Sequence, residues 1–290
     1  MAAINQATEA GRDPSGSGGN SGIISRTSSR LSAAIVVYLP AIILIAALVT
    51  FWELFNVIFD QPDYILPPLH DVIYTAYIHA ADQFLPNAWV TFQEVLIGYC
   101  VAVICGLLIG VGISESATIR RALLPLVIGS QAIPILAIAP VLIIWFGFVM
   151  TPKIIIVVLI SFFPIVITTV TGLQSVSRDM LYLLDSLTAS RSQVLFRVKF
   201  PAALPYIFAG LKNSAVISVI GAFVGEYVGA IEGLAPVMIL ANSAFQTDVV
   251  FAAILYLSLM GVFMYMAVTI IERRMIRWHF IARGEDRQGD

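Results

Sequence analysis

Six apolar stretches, each long enough to cross a bilayer, dominate the chain. A spanning helix needs roughly 20 predominantly apolar residues, and it satisfies its own backbone polar groups where no water can. The stretches run from about Ala33 to Ile58, Trp89 to Ile113, Leu123 to Phe148, Ile154 to Val176, Leu204 to Ile231 and Val249 to Ile271. They imply an all-α polytopic membrane protein with six transmembrane helices. The third and fourth are separated only by Val149 to Lys153, so they read as a tight helical hairpin. Composition agrees: 59% of the residues are hydrophobic and 12% are charged, about half the share of charge in a soluble domain.

The cations alternate. Arg26 and Arg30 precede the first stretch, and Arg120 and Arg121 lie between the second and third. Arg178, Arg191, Arg197 and Lys199 lie between the fourth and fifth, and Arg273, Arg274, Arg277 and Arg283 follow the last. The loop from Phe59 to Ala88 has no Lys or Arg and carries Asp60, Asp63, Asp71 and Asp82. The third-to-fourth loop has Lys153 alone, and the loop after the fifth stretch has no cation. Cationic loops stay on the cytoplasmic side, so both termini are expected there. The net charge of −2 gives no ground for a nucleic-acid partner.

Three segments follow. Residues 1–30, with GRDPSGSGGNSG, read as a disordered cytoplasmic tail rather than a cleavable signal. Residues 31–280 form the six-helix domain, and 281–290 a cytoplasmic C-terminal tail. Cys100 and Cys105 share one apolar run at a spacing that suits neither a disulfide nor a metal, so no metal site is expected. In the outer loop, Pro67 and Pro68 can open a short interfacial helix that carries His70 and His79 as surface residues.

The longest loop between stretches, residues 177–203, is neither apolar enough to span nor polar enough to be a linker. Met180, Leu183, Leu184 and Leu187 recur at helical spacing and give one apolar stripe. Pro201 is expected to break the loop from the fifth stretch. The stripe needs a cover, either the membrane interface or a partner protein.

The run ASRSQVLFRVKFPAALPYIFAGLK resembles the signature loop of bacterial ABC importer permeases. Ala189, Ser190, Arg191, Val198, Pro201, Pro205, Gly210 and Leu211 match that pattern. The resemblance implies a type I importer permease fold in a bacterial inner membrane. It implies a coupling helix, from about Tyr182 to Pro201, that docks on a separate ABC ATPase subunit. Within that range the implied contacts are Tyr182, Leu183, Leu184, Asp185, Leu187, Thr188, Ala189, Ser190, Arg191, Val198 and Pro201. The family's glycine falls on Thr188 and its EAA on Tyr182, Leu183 and Leu184, with Asp185 the nearest acid. Losing that glycine suggests a turn made without a positive φ, or built differently. SQAIPILAIAPVLIIWFGF, SFFPIVITTVTGLQSV and YILPP are similar to the nitrate, sulfonate and taurine branch. SVIGAFVGEYVGA and ERRMIRWH are most similar to permeases for thiamine-pyrimidine precursors or riboflavin.

Polar groups inside the stretches are functional candidates by default. Glu53, Glu94 and Glu226 fall toward the outer ends. They read either as headgroup-level or interhelix partners, or as an outer gate or docking surface. Glu226, set among glycines in VGEYVG, is the foremost candidate. Ser130, Gln131, Asn213, Ser214 and Ser218 lie deeper, as hydrogen-bonding or pathway-lining groups. Pro134, Pro140 and Pro164 can kink their helices.

The chain has no GxxxxGK[ST] phosphate loop and no HExxH. No enzymatic activity and no bound cofactor are expected; ATP and Mg belong to the partner ATPase. The remaining partners implied are an external solute-binding protein, a second copy of this chain and the lipid bilayer. The rival class is an ion-gradient-driven secondary transporter, which needs ion-binding groups near the midplane and usually an internal repeat.

Overall fold

The computed structural model describes residues 21–59, 62 and 64–276, and every regular element among them is helical. The chain divides into two units, residues 1–60 and 61–290.

The first unit is the helix α1, Ser21–Phe59. It starts inside the stretch assigned above to the tail. Its segment Leu39–Asn56 is apolar enough to span. Phe51, Phe55 and Phe59 recur every four positions and touch in sequence along one side, at 6.0 and 4.6 Å between centroids. The tail at residues 1–20, Asp60, Asp63, Arg277, Arg283 and the tail at 281–290 lie outside the described residues.

The second unit is a bundle around three long helices: α3 (Leu85–Glu115), α6 (Met150–Leu173) and α9 (Phe200–Gly229). Glycines set their spacing. A Cβ added at Gly98 would lie 2.5 Å from Val157 Cγ1, one at Gly106 2.8 Å from Ile165, and one at Gly110 2.7 Å from Thr169. Residue numbers rise together along the two helices, so α3 and α6 run parallel. Against α9 the order reverses: Gly210 faces Thr168, Gly221 faces Ile160 and Val157, and Gly225 faces Lys153. Thus α6 and α9 are antiparallel. Small residues at these positions let backbones approach within a membrane, where packing rather than water exclusion drives association.

This parallel pairing settles the third stretch. It is not one straight helix but two, α4 (Ala117–Ser130) and α5 (Ile135–Phe146), bent by 98°. Pro134 has no N–H and disfavours helix in the residue before it, which accounts for the break. At 14 and 12 residues, each reaches about 20 Å, short of a ~30 Å core. Because α3 and α6 point the same way, α4 and α5 together must carry the chain back across. They act as one broken span. Arg120 secures the turn into α4 by donating to the Ile113 and Ser114 carbonyls at 3.2 and 3.0 Å. These lie in the last turn of α3, whose carbonyls have no helical partner.

The remaining elements cover the ends. The outer loop forms the expected helix α2 (Leu69–Ile78), followed by a π-turn at Ala80–Phe84. Val72, Thr75 and Ala76 are buried, and α2 packs on the last helix, α11 (Thr247–Met275). Tyr256 donates to the Ala76 carbonyl at 3.0 Å and stacks on Phe84. His70 and His79 are surface residues beside Asp71 and Asp82. Between α9 and α11 lies the short helix α10 (Leu234–Ser243). Lys212 and Glu272 join α9 to α11 at 2.7 Å.

Candidate coupling surface and intramembrane polar network

Residues 177–203 fold as an elbow. Ser177 accepts from the Met180 N–H and starts the helix α7, Arg178–Ser186. No residue of α7 is buried. Met180, Leu183 and Leu187, three of the four stripe residues, are exposed, at 45%, 55% and 67%. Leu184 is half-buried, and Tyr182 and Asp185 are exposed. Such an apolar stripe is an unpaired surface by construction.

The elbow turns at Thr188. The Ala189 N–H donates to Leu184 O at 3.0 Å and the Thr188 N–H to Asp185 O at 2.9 Å. That pair of bonds is a Schellman motif, whose C′ residue is normally glycine in the left-handed region. Thr188 takes that conformation, with φ 56. The turn therefore keeps its positive φ and places a β-branched residue there, which removes the first of the two readings above, a turn without a positive φ. Ser190 then opens a second helix, α8 (Arg191–Val194), with a reciprocal capping box to Gln193.

Pro201 does not break this segment from the fifth span. A π-turn at Leu195–Lys199 leads directly into α9, and Pro201 sits in its first turn, where a missing N–H has little consequence. Leu195 and Phe200 pack against the buried cluster Leu173, Ala203 and Ile207. Val198 and Pro201 are half-buried, while Ser190 and Arg191 are exposed. Lys199 reaches Glu115 at the end of α3 at 2.7 Å. The elbow is thus exposed on one side and rooted in α3, α6 and α9 on the other.

At the opposite end of the bundle is a polar network. Lys153, read above as a loop cation, lies in the first turns of α6 and pairs with the fully buried Glu94 of α3. Glu226 is also fully buried. Thr91 donates to its Oε1 at 2.5 Å, and the Ala235 N–H donates to its Oε2 at 2.9 Å. Thr91 Oγ1 accepts from the Leu234 N–H at 3.0 Å, and Asn87 Oδ1 from the Gly233 N–H at 2.9 Å. These bonds satisfy the free N–H groups at the start of α10. Gly233 has φ 121, and a Cβ there would lie 2.3 Å from the Glu226 carboxyl carbon. Glu226 therefore ties α10 onto α3 and α9.

The other candidates are scattered. Ser214 donates to the Ser161 carbonyl and Ser218 to the Ala215 carbonyl, both buried. Gln131 and Pro134 are exposed at the α4–α5 break, and Asn213 is exposed on α9. Glu53 is half-buried on α1. These residues do not converge on one site. The Lys153–Glu94 pair was not legible beforehand, because nothing local marks two residues 59 positions apart as partners.

Residues 102–277 match the family described as binding-protein-dependent transport system inner membrane component. A probable ABC transporter permease protein of Haemophilus influenzae is 34% identical over 238 residues, 82% of this chain and 97% of its own. The formylaminopyrimidine transport permease protein of Halalkalibacterium halodurans is 32% identical over 80% of this chain and 92% of its own. The riboflavin transport system permease protein of Chloroflexus aurantiacus is 36% identical over 55% of this chain and 60% of its own. An inward-facing structure of the MetNI methionine ABC transporter superposes with TM-score 0.58 at 16% identity, over 66% of this chain and 95% of that one.

Proposed function

Because this chain belongs to the family of binding-protein-dependent transport system inner membrane components, we propose that two copies of it form the pathway of an importer for a small organic solute. The chain is a non-catalytic membrane subunit of an ABC importer, and ATP hydrolysis resides in a separate subunit. Our reading adds the working parts. The α7–Thr188–α8 elbow docks on the ATPase, an external binding protein delivers the solute, and nucleotide-driven closure of two ATPases switches the permease pair between inward-open and outward-open states. The elbow and both termini lie in the cytoplasm, in the membrane of a bacterial cell.

The observation that carries this reading is the elbow itself. It offers Met180, Leu183 and Leu187 to a partner while Leu195, Phe200 and Lys199 join it to the bundle. A displacement imposed there reaches α9 through helix, not through a flexible linker. The names of similar permeases favour heteroaromatic cargo such as a thiamine pyrimidine precursor or riboflavin. Selectivity then rests largely with the external protein.

The deciding experiment is an affinity pull-down in mild detergent, with this chain tagged and its co-encoded ATPase co-expressed. The control carries Ser190→Asp and Arg191→Glu. The ATPase is expected with the native chain and is lost from the control. Absence from both, while a known importer stays intact under the same conditions, would sink the reading and direct attention to ion-driven transport.

A further inference from the structure

One pocket on the Lys- and Arg-free side plays no part in the coupling described above. It is a cavity of about 310 Å3 between the segment before α2, α2 itself and the corner that joins α10 to α11. Tyr64, Tyr74 and Phe245 give it aromatic walls, and Asp71 and Asp248 give it carboxylates. The rim is held in place. Thr75 donates to Asp248 Oδ2 and Thr247 donates to the Tyr64 carbonyl, each at 2.7 Å. The Tyr64 and Phe245 rings meet edge to face at 6.5 Å. Phe245 sits in the left-handed region, with φ 57, and its ring is 74% exposed. That φ belongs to the Schellman turn closing α10, in which the Phe245 N–H donates to Asn242 O at 3.2 Å and the Gln246 N–H to Ala241 O at 2.9 Å, and the turn presents the Phe245 side chain at the pocket rim.

The charge around the pocket is one-sided. Residues 59–88 and 230–248 contain no Lys or Arg, yet they carry Asp71, Asp82, Glu232 and Asp248. Lys153, in the first turns of α6, is turned inward onto Glu94. His70 Nε2 lies 3.5 Å from Asp71 Oδ1, at the edge of the pocket. Carboxylates beside accessible aromatic faces suit a guanidinium or ammonium group, which gains charge pairing and cation–π contact together.

We propose that this pocket receives a lysine or arginine side chain of the external solute-binding protein and fixes its docking position. The proposal rests on the importer reading and adds the chemistry of the docking site. An acidic face steers a basic partner at long range, and the pocket then holds one side chain in register.

The test uses the full importer, permease pair and ATPase, in nanodiscs with its co-encoded solute-binding protein. The readout is the stimulation of ATP hydrolysis by that protein, expressed relative to each variant's own basal rate. Asp71→Lys is expected to raise the half-stimulating concentration about tenfold or more, and Phe245→Ala to raise it by a smaller factor. Asp82→Lys changes charge on the same face away from the pocket, and is expected to shift it less than about threefold at 0.15 M salt. Equal shifts for Asp71→Lys and Asp82→Lys would reduce the effect to general steering and overturn the pocket. No shift for Asp71→Lys would overturn it as well. A native assembly with no ATPase bound would instead overturn the importer reading on which the pocket rests.

Discussion

Lys153 of α6 donates to Glu94 of α3 within the packed end of the bundle, and the pair lies in the same parallel register that sets Gly98 on Val157. The ion pair and the glycine contacts are one ladder. Glu94 is fully buried and Lys153 nearly so, at 13%. Removing one partner leaves the other charge desolvated, whereas removing both leaves a gap that apolar side chains can fill. Lys153→Met is therefore expected to destabilise the fold by about 3–5 kcal/mol. The double variant Glu94→Met, Lys153→Met is expected to recover most of that loss. Thermal unfolding in detergent checks both. A double variant no better than the single would show that the pair acts through something other than its buried charge.

Thr188 stands where the Schellman turn calls for glycine. A non-glycine residue in the left-handed region costs about 1–2 kcal/mol. Thr188→Gly should relieve that cost, offset by the greater freedom of glycine in the unfolded chain, for a net gain under about 1 kcal/mol. Thr188→Val keeps the branch and loses the hydroxyl, so it should not gain. Hydrogen exchange of the Ala189 amide, which bonds to Leu184, reports the turn directly. Slower exchange in Thr188→Gly alone is the expected result.

The exposed stripe separates stability from coupling. Leu183→Asp and Leu187→Asp alter side chains that are 55% and 67% exposed, so melting should move little. Each should lower ATPase recovery about tenfold if it anchors the interface. Loss of melting temperature together with recovery would instead assign the stripe to the fold of this chain.

At the other end, Gly233→Ala puts a methyl group into the Glu226 carboxylate at a φ that alanine rarely adopts. The start of α10 should detach. Protease nicking between Gly229 and Leu234 is expected to rise, with a loss of about 1–3 kcal/mol. Resistance equal to the native chain would mean that α10 is held elsewhere.

Crossing number can be read by labelling. Val149→Cys, between α5 and α6, should react with an impermeant maleimide from outside cells, and Ala117→Cys, where α3 gives way to α4, only after permeabilisation, each in a background without Cys100 and Cys105. Labelling of both from the same side would show that α4 and α5 form a re-entrant loop rather than a broken span.

Length and apolarity placed the cores of the straight spans within a few residues, since a run of roughly 20 apolar residues leaves few alternatives to a helix. Pro134 marked a kink but not its size, because the bend depends on what packs on either side. Lys153 looked like a loop residue because a lone cation beside an apolar run usually is one, and its partner is remote in sequence. Thr188 was located by its place in the loop, with the build of its turn left open; the two Schellman bonds hold it in a conformation that threonine disfavours. The π-turn before Pro201 has no periodic signature, so the helix looked interrupted where it continues.

The glycine ladders set a rule for how this chain can vary in length. One residue inserted within α3, α6 or α9 would rotate everything beyond it by about 100° and turn every later glycine away from its groove. Such an insertion cannot be absorbed locally, since each helix is clamped at both ends of its neighbour. Additions and deletions are tolerable only at the breaks: before α2, between α4 and α5, and around α10. Homologues of different length should therefore keep these three helices gap-free and differ at those joints.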